Sequence, residues 1–148
     1  MSGSNDVRFR VTPGGQLGGR LRVPGEKWIS HRPIMPGSLA EGRTDVSGFL
    51  EGEDSLATLS AFRAMGVQID GPHDGRVHIE GVGLHGLQQP DGHLYLGNSG
   101  TSTRLMSGLL AGQAFSTTPT GDASLSGRTM KRVTAPLTSM GAHIDATA

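Results

Sequence analysis

Leu96-Gly97-Asn98-Ser99-Gly100-Thr101-Ser102-Thr103-Arg104-Leu105 joins an apolar run to a helical one through a glycine-rich turn. Leu94, Tyr95 and Leu96 form an apolar, strand-like run that enters a turn of Gly97, Asn98, Ser99 and Gly100. A helical pattern leaves the turn, with Leu105, Leu109 and Leu110 expected on one side. Thr101 or Ser102 is the expected helix cap. Glycines let a backbone approach a ligand closely, and the free N–H groups of a first helical turn favour anions. With Arg104 one turn in, the stretch reads as a cradle for a small phosphorylated or carboxylated molecule.

The chain has 148 residues, enough for one domain with a core. Its 24 glycines fall singly or in pairs between apolar runs, as punctuation for many short elements. The 13 basic and 13 acidic residues cancel, so bulk charge points to neither nucleic acid nor a membrane surface. The absence of cysteine excludes disulfides and thiolate metal sites and fits a cytoplasmic protein. No apolar run approaches the roughly 18 residues of a membrane span. Met1 to Asp6 lack the apolar segment of a signal peptide and read as a mobile tail.

Residues 7–11 and 20–23 alternate apolar and basic residues and are expected as two short strands. Residues 24–40 look partly helical, with Ser30 the expected cap and Pro33 acceptable in a first turn. Pro36 falls deeper, so that helix is expected to be short or kinked. Residues 54–65 make a better helix, capped by Asp54 or Ser55 and ended by Gly66. Strands are expected at 67–70, 76–80, 94–96, 117–120 and 142–145, and helices at about 101–111 and within 128–140. Pro136 is expected to break or shift the last helix. Met65-Gly66-x-x-Ile69-Asp70 recurs as Met140-Gly141-x-x-Ile144-Asp145, which suggests two copies of one α/β unit.

Three stretches carry candidate chemistry. In Pro24-Gly25-Glu26-Lys27-Trp28-Ile29-Ser30-His31-Arg32, Lys27 and Arg32 follow a turn and could clamp a phosphate and a carboxylate; they read equally as surface cations. The glycine turn is the second, though without the Gly-Lys-Ser/Thr ending of a P-loop. Gly121-Asp122-Ala123-Ser124-Leu125-Ser126-Gly127-Arg128 repeats the recipe of small polar loop, arginine and helix. The six histidines show no metal-ligand spacing. Glu51, Glu53 and Asp54 precede a helix and read as capping residues.

In this order the three stretches resemble the 5-enolpyruvylshikimate-3-phosphate synthase family, the 3-phosphoshikimate 1-carboxyvinyltransferases. The family patterns PGDKSISHR, GN[AS]GT followed by arginine, and GDxSLxxRPM stand here as PGEKWISHR, GNSGTSTR and GDASLSGRTM. The resemblance implies an α/β (α+β) enolpyruvyl transferase fold, about two βαβαββ units of one domain of an inside-out barrel. Residues 24–148 would form this partial first domain, and 7–23 a strand region that normally joins the second. It implies transfer of the enolpyruvyl group of phosphoenolpyruvate to the 5-hydroxyl of shikimate 3-phosphate, without cofactor or metal, by an enzyme that is usually monomeric. Lys27 would contact both substrates and assist proton transfer. Trp28 and Arg32 stand at shikimate 3-phosphate positions, Gly100 and Arg128 at phosphoenolpyruvate positions, and Asn98 and Thr101 would support the loop. Glyphosate would compete with phosphoenolpyruvate, and Gly100 implies sensitivity to it. Trp28 replaces a serine, Glu26 an aspartate and Thr129 a proline of the family pattern; Pro33 and Pro36 stand where helix formers are usual. The later substrate loop, the catalytic carboxylates and the second domain's cations have no counterpart here, so the chain reads as an N-terminal fragment, inactive alone and with exposed apolar surface. The competing reading is an anion-binding module, or one half of a split enzyme.

Overall fold

The computed structural model describes residues 10, 12, 14–16 and 18–146. In chain order the elements are α1 (Lys27–Leu39), β1 (Glu41–Ser47), α2 (Glu53–Ala64), β2 (Gln68–His73), β3 (Arg76–Val82), β4 (Leu94–Tyr95), α3 (Gly100–Leu110), β5 (Pro119–Thr120), α4 (Ala123–Ser126) and α5 (Lys131–Ser139). β1, β3 and β2 form an antiparallel sheet in that order, while β4 and β5 pair in parallel across the α3 crossover.

Period-2 alternation explains the first sheet. Ile69, Val77 and Ile79 are buried on its inner face, while His78 and Glu80 alternate toward the other side. Ile34 of α1 and Leu59 and Phe62 of α2 meet that inner face in one core. The core continues through Leu94, Leu96, Met106 and Leu125, so both halves of the chain share it. The β2–β3 connection narrows to Asp74-Gly75, with φ of 49° and 69°, the left-handed pair a tight hairpin prefers. β2 therefore runs to His73, through a register shift after Asp70, rather than ending at Asp70.

α1 differs from expectation in cap and length. Glu26, not Ser30, is the N-cap, and its carboxylate accepts the Ile29 N–H at 2.8 Å. Ser30 lies a turn inside, where its Oγ donates to the Glu26 carbonyl and accepts the Leu50 N–H. Pro33 and Pro36 both sit within the helix and neither ends it. An interior proline costs about 3 kcal/mol. The burial of Ile34 in the shared core offsets part of that, a fully buried isoleucine being worth roughly 1.5–3 kcal/mol. The carbonyls that lose their partners, at Ile29 and Arg32, belong to exposed residues. Pro136 is likewise contained in α5.

Other expectations are corrected. Residues 20–23 form no strand, and Leu21 and Val23 are exposed. The expected tail and residues 7–9 and 11 lie outside the described residues. Residues 142–145 form no strand either; a strand requires a hydrogen-bonded neighbour, and none of the described residues supplies one. Glu41–Ser47, unassigned from sequence, is the edge strand β1. In α3 the buried positions are Gly100, Ser102 and Met106, while Leu105 is exposed and Leu109 and Leu110 are half-buried.

Candidate functional site

The parallel pairing of β4 with β5 places two loop-to-helix junctions side by side. Parallel strands align their C-terminal ends, where ligands of open α/β sheets bind. Past β4 comes the glycine turn, and past β5 comes Gly121-Asp122. The Asp122 N–H donates to the Gly97 carbonyl at 3.0 Å, tying the loops together. Gly121 is required by that approach, because a Cβ there would collide with the Gly97 carbonyl and with Leu125. Ser99, not Thr101 or Ser102, caps α3, its Oγ accepting the Ser102 N–H at 3.2 Å. Asp122 caps α4 through the Leu125 N–H at 2.7 Å.

Arg128 leaves the short α4 and reaches back to the glycine turn. Its Nη2 donates to Asn98 Oδ1 and, at 3.2 Å, to Ser124 Oγ, while Nη1 faces the Asn98 carbonyl at 3.5 Å. Arg104 of α3 donates to the Gly100 carbonyl at 3.3 Å. A Cβ built on Gly100 would lie 3.1 Å from Arg104 Nη1 and 3.2 Å from Arg128 Nη1. Two guanidinium groups therefore flank one Cα, and the missing side chain keeps the gap open. Among the described residues no carboxylate pairs with either. Two like charges so placed repel, and an anion between them reverses the sign. The sequence places Arg104 in the glycine-turn cradle one turn into the helix, and its i,i+4 return to the Gly100 carbonyl sets it beside Arg128, a pairing the sequence does not show.

The first stretch contributes from α1. Lys27 forms an ion pair with Asp54 of α2, which leaves its side chain about half exposed. Asp54 is thus a partner of Lys27 rather than the cap of α2. That cap is Gly52, without a side-chain bond, and Glu51 accepts the Gly75 N–H instead. Glu53 and Asp54 nevertheless occupy the first turn of α2, where the macrodipole favours acids. The Trp28 N–H, reinforced by the Ile29 N–H and by Arg32 and His31, holds the Glu26 carboxyl below its usual range. Arg32 and Trp28 are exposed, and Thr101 is half-buried. Among the described residues, neither Arg32 nor Thr101 has a side-chain hydrogen bond. The structure thus joins Asn98, Gly100, Arg104 and Arg128 directly. Lys27 and Arg32 sit on the helix whose buried face carries His31, and His31 reaches α2 and α3 through Thr58 and Ser102.

A sequence model of EPSP synthase (3-phosphoshikimate 1-carboxyvinyltransferase) matches residues 11–148. The chain belongs to the EPSP synthase family. It is 70% identical over 139 residues to the 3-phosphoshikimate 1-carboxyvinyltransferase of Alkalilimnicola ehrlichii, covering 94% of this chain and 31% of that protein. Against the Methylococcus capsulatus enzyme of the same name it is 67% identical over 142 residues, covering 96% and 32%. The solved EPSP synthase of Acinetobacter baumannii superposes with a TM-score of 0.85 at 60% identity, over 88% of this chain and 30% of that one. The chain spans about a third of the length of the curated relatives it matches. At that identity and TM-score its architecture is that part of the EPSP synthase fold, so the fold expected from the three motifs is the one observed. Among the described residues no helix is long and apolar enough to cross a membrane, and no group of three or more histidine, aspartate or glutamate side chains could hold a metal.

Proposed function

We propose that this chain supplies one wall of the active-site cleft of a carboxyvinyl transferase. The enolpyruvyl group of phosphoenolpyruvate passes to the 5-hydroxyl of shikimate 3-phosphate, and phosphate is released. The observation that carries this reading is Gly100, open between Arg104 and Arg128 at the start of α3. Two cations and a helix N-terminus suit a substrate that bears both a carboxylate and a phosphate. In this reading Arg128 and the Gly100 cradle hold phosphoenolpyruvate, with Asn98 orienting Arg128 and Thr101 lining the first turn. Arg32 holds shikimate 3-phosphate, and Trp28 stands beside it.

Lys27 is the proposed catalytic residue. The hydroxyl oxygen bonds to C2 of phosphoenolpyruvate, C3 takes a proton, and the hydroxyl proton is lost. The resulting tetrahedral intermediate loses phosphate from C2 and a proton from C3, restoring the double bond. Lys27 can stabilise charge in this exchange and pass a proton, with Asp54 holding its ammonium in place. The bound Gly100 cradle is also the proposed site of competition by glyphosate. The rest of the reading follows family membership: a cytoplasmic, monomeric enzyme that needs no cofactor, with the remaining two thirds of the fold furnishing the opposite wall.

Isothermal titration of the folded chain with shikimate 3-phosphate, then phosphoenolpyruvate, tests this. Heat is expected from the chain and its loss from Arg32→Ala and Arg128→Ala respectively. A folded chain that gives no heat with either ligand overturns the proposal. A phosphate-release assay should show no turnover by the chain alone; clear turnover would contradict the need for a second wall.

A further inference from the structure

The buried hydroxyl cluster beneath the two half-sites forms one continuous hydrogen-bonded network, and the following assignment of its protons satisfies every contact in it. Thr58 Oγ lies 3.1 Å from the Asp54 carbonyl, which only accepts, so Thr58 donates there. With its proton there, Thr58 Oγ accepts from its other two neighbours, His31 Nδ1 at 2.9 Å and Ser102 Oγ at 2.7 Å. Ser102 Oγ, having donated, accepts from Ser99 Oγ at 2.7 Å, and Ser99 Oγ accepts the Ser102 N–H. Each proton is used once. The chain runs from the cap of α3, through Ser102 and Thr58, to the backbone of Asp54, whose carboxylate holds Lys27. In this assignment His31 joins it from α1 with its proton on Nδ1, which fits a buried Nε2 that has no partner among the described residues. All four residues are buried, with relative exposures of 1% for His31, 0% for Thr58, 1% for Ser99 and 0% for Ser102.

We propose that His31 is a positioning residue: its Nδ1–H, seated on Thr58 and against Ser102, fixes the helix bearing Lys27 and Arg32 relative to the helix that begins at Gly100, so the two half-sites act as one. This rests on the proposed function for its ligands but not for its geometry. The alternative, a histidine that merely fills volume, makes a different prediction about replacements. Asparagine places an amide N–H where Nδ1 sits but leaves the rest of the ring space empty. Glutamine is closer to histidine in volume but places its amide where Nε2 sits. A hydrogen-bonding role is rescued by asparagine; a filling role is better served by glutamine.

The test compares the chain with His31→Asn and His31→Gln by amide NMR and by titration with shikimate 3-phosphate and phosphoenolpyruvate. The expected result is that Gly100, Thr101 and Ser102 amide shifts stay near the parent's in His31→Asn and move in His31→Gln. Affinity for phosphoenolpyruvate in the presence of shikimate 3-phosphate should be retained within about threefold by asparagine and fall about tenfold or more with glutamine. Equal behaviour of the two variants, or better rescue by glutamine, overturns the proposal. Unligated amide shifts decide the positioning even if the parent chain binds neither ligand, an outcome that would instead overturn the reading of the site.

Discussion

Replacing Gly100 with alanine should damage ligand binding while sparing the fold. The added methyl would sit 3.1 Å from Arg104 Nη1 and 3.2 Å from Arg128 Nη1, tighter than ordinary contact. Both neighbours are tips of flexible side chains, so they can withdraw by a few tenths of an ångström without moving backbone. Gly100 begins α3 and is not among the positive-φ glycines, so alanine suits its backbone and gains up to about 1 kcal/mol of helix propensity. The net stability change should lie within about 1 kcal/mol, or about 2–4 °C in melting temperature. The displaced guanidinium groups no longer converge on the gap, and the methyl fills it. Losing one charge-assisted hydrogen bond costs about 1.5–3 kcal/mol, which is about 10- to 150-fold in affinity. Thermal melts paired with phosphoenolpyruvate titrations check both halves. A variant that melts many degrees lower, or one that binds as well as the parent, refutes the reasoning.

Three further perturbations separate parts of the account. Trp28→Ser removes an indole that is 55% exposed, so stability should change by less than about 1 kcal/mol, while titration should show tighter binding of shikimate 3-phosphate; weaker binding would mean the indole itself is a contact. Pro36→Ala restores an N–H donor to the Arg32 carbonyl inside α1 and should raise stability by as much as about 3 kcal/mol in denaturant unfolding; a loss would show that the proline is favourable in this helix. Burial holds the His31 pKa below its ordinary 6.5, against the opposing field of Asp54, with Lys27 assisting and Glu26 opposing. The unfolded chain then binds more protons than the folded one between the folded value and 6.5, so stability falls as pH drops through that window. His31→Asn should flatten that part of the pH–stability curve, measured by urea unfolding; an unchanged curve would assign the dependence to other groups.

Much of the fold is legible where local pattern and tertiary burial agree. α2 reads directly because Leu59, Phe62 and Met65 repeat at helical spacing and are all buried, and Gly66 follows with a positive φ. β1 is not legible because Glu41-Gly42-Arg43-Thr44-Asp45-Val46-Ser47 is polar and becomes a strand only by pairing with the distant β3, in a register from Ser47 with Arg76 to Glu41 with Val82. Residues 142–145 show the converse: strand-like sequence remains irregular when no described neighbour pairs with it. The Leu105, Leu109, Leu110 stripe misled because the packed face of α3 is instead centred on Ser102 and Met106, set by the buried hydroxyl cluster beneath it.

At the candidate site, Lys27, Arg32, Gly100 and Arg128 stood out as residue types, but their partners did not. Asp54 read as a cap and His31 as one unremarkable histidine of six, because ion pairing and burial are products of how α1 meets α2. The convergence of Arg104 with Arg128 was equally invisible, since it arises from the parallel β4–β5 pairing that sets two distant loops side by side.

Under the proposed function these helix starts form one site for phosphorylated, carboxylated ligands. Amide NMR of the folded chain, titrated with shikimate 3-phosphate and then phosphoenolpyruvate, tests it most directly. Saturable shifts are predicted first at Lys27, Trp28 and Arg32, then at Asn98, Gly100, Thr101, Arg104 and Arg128. A well-dispersed spectrum in which these amides stay still, or in which saturable shifts gather on another face, would contradict it.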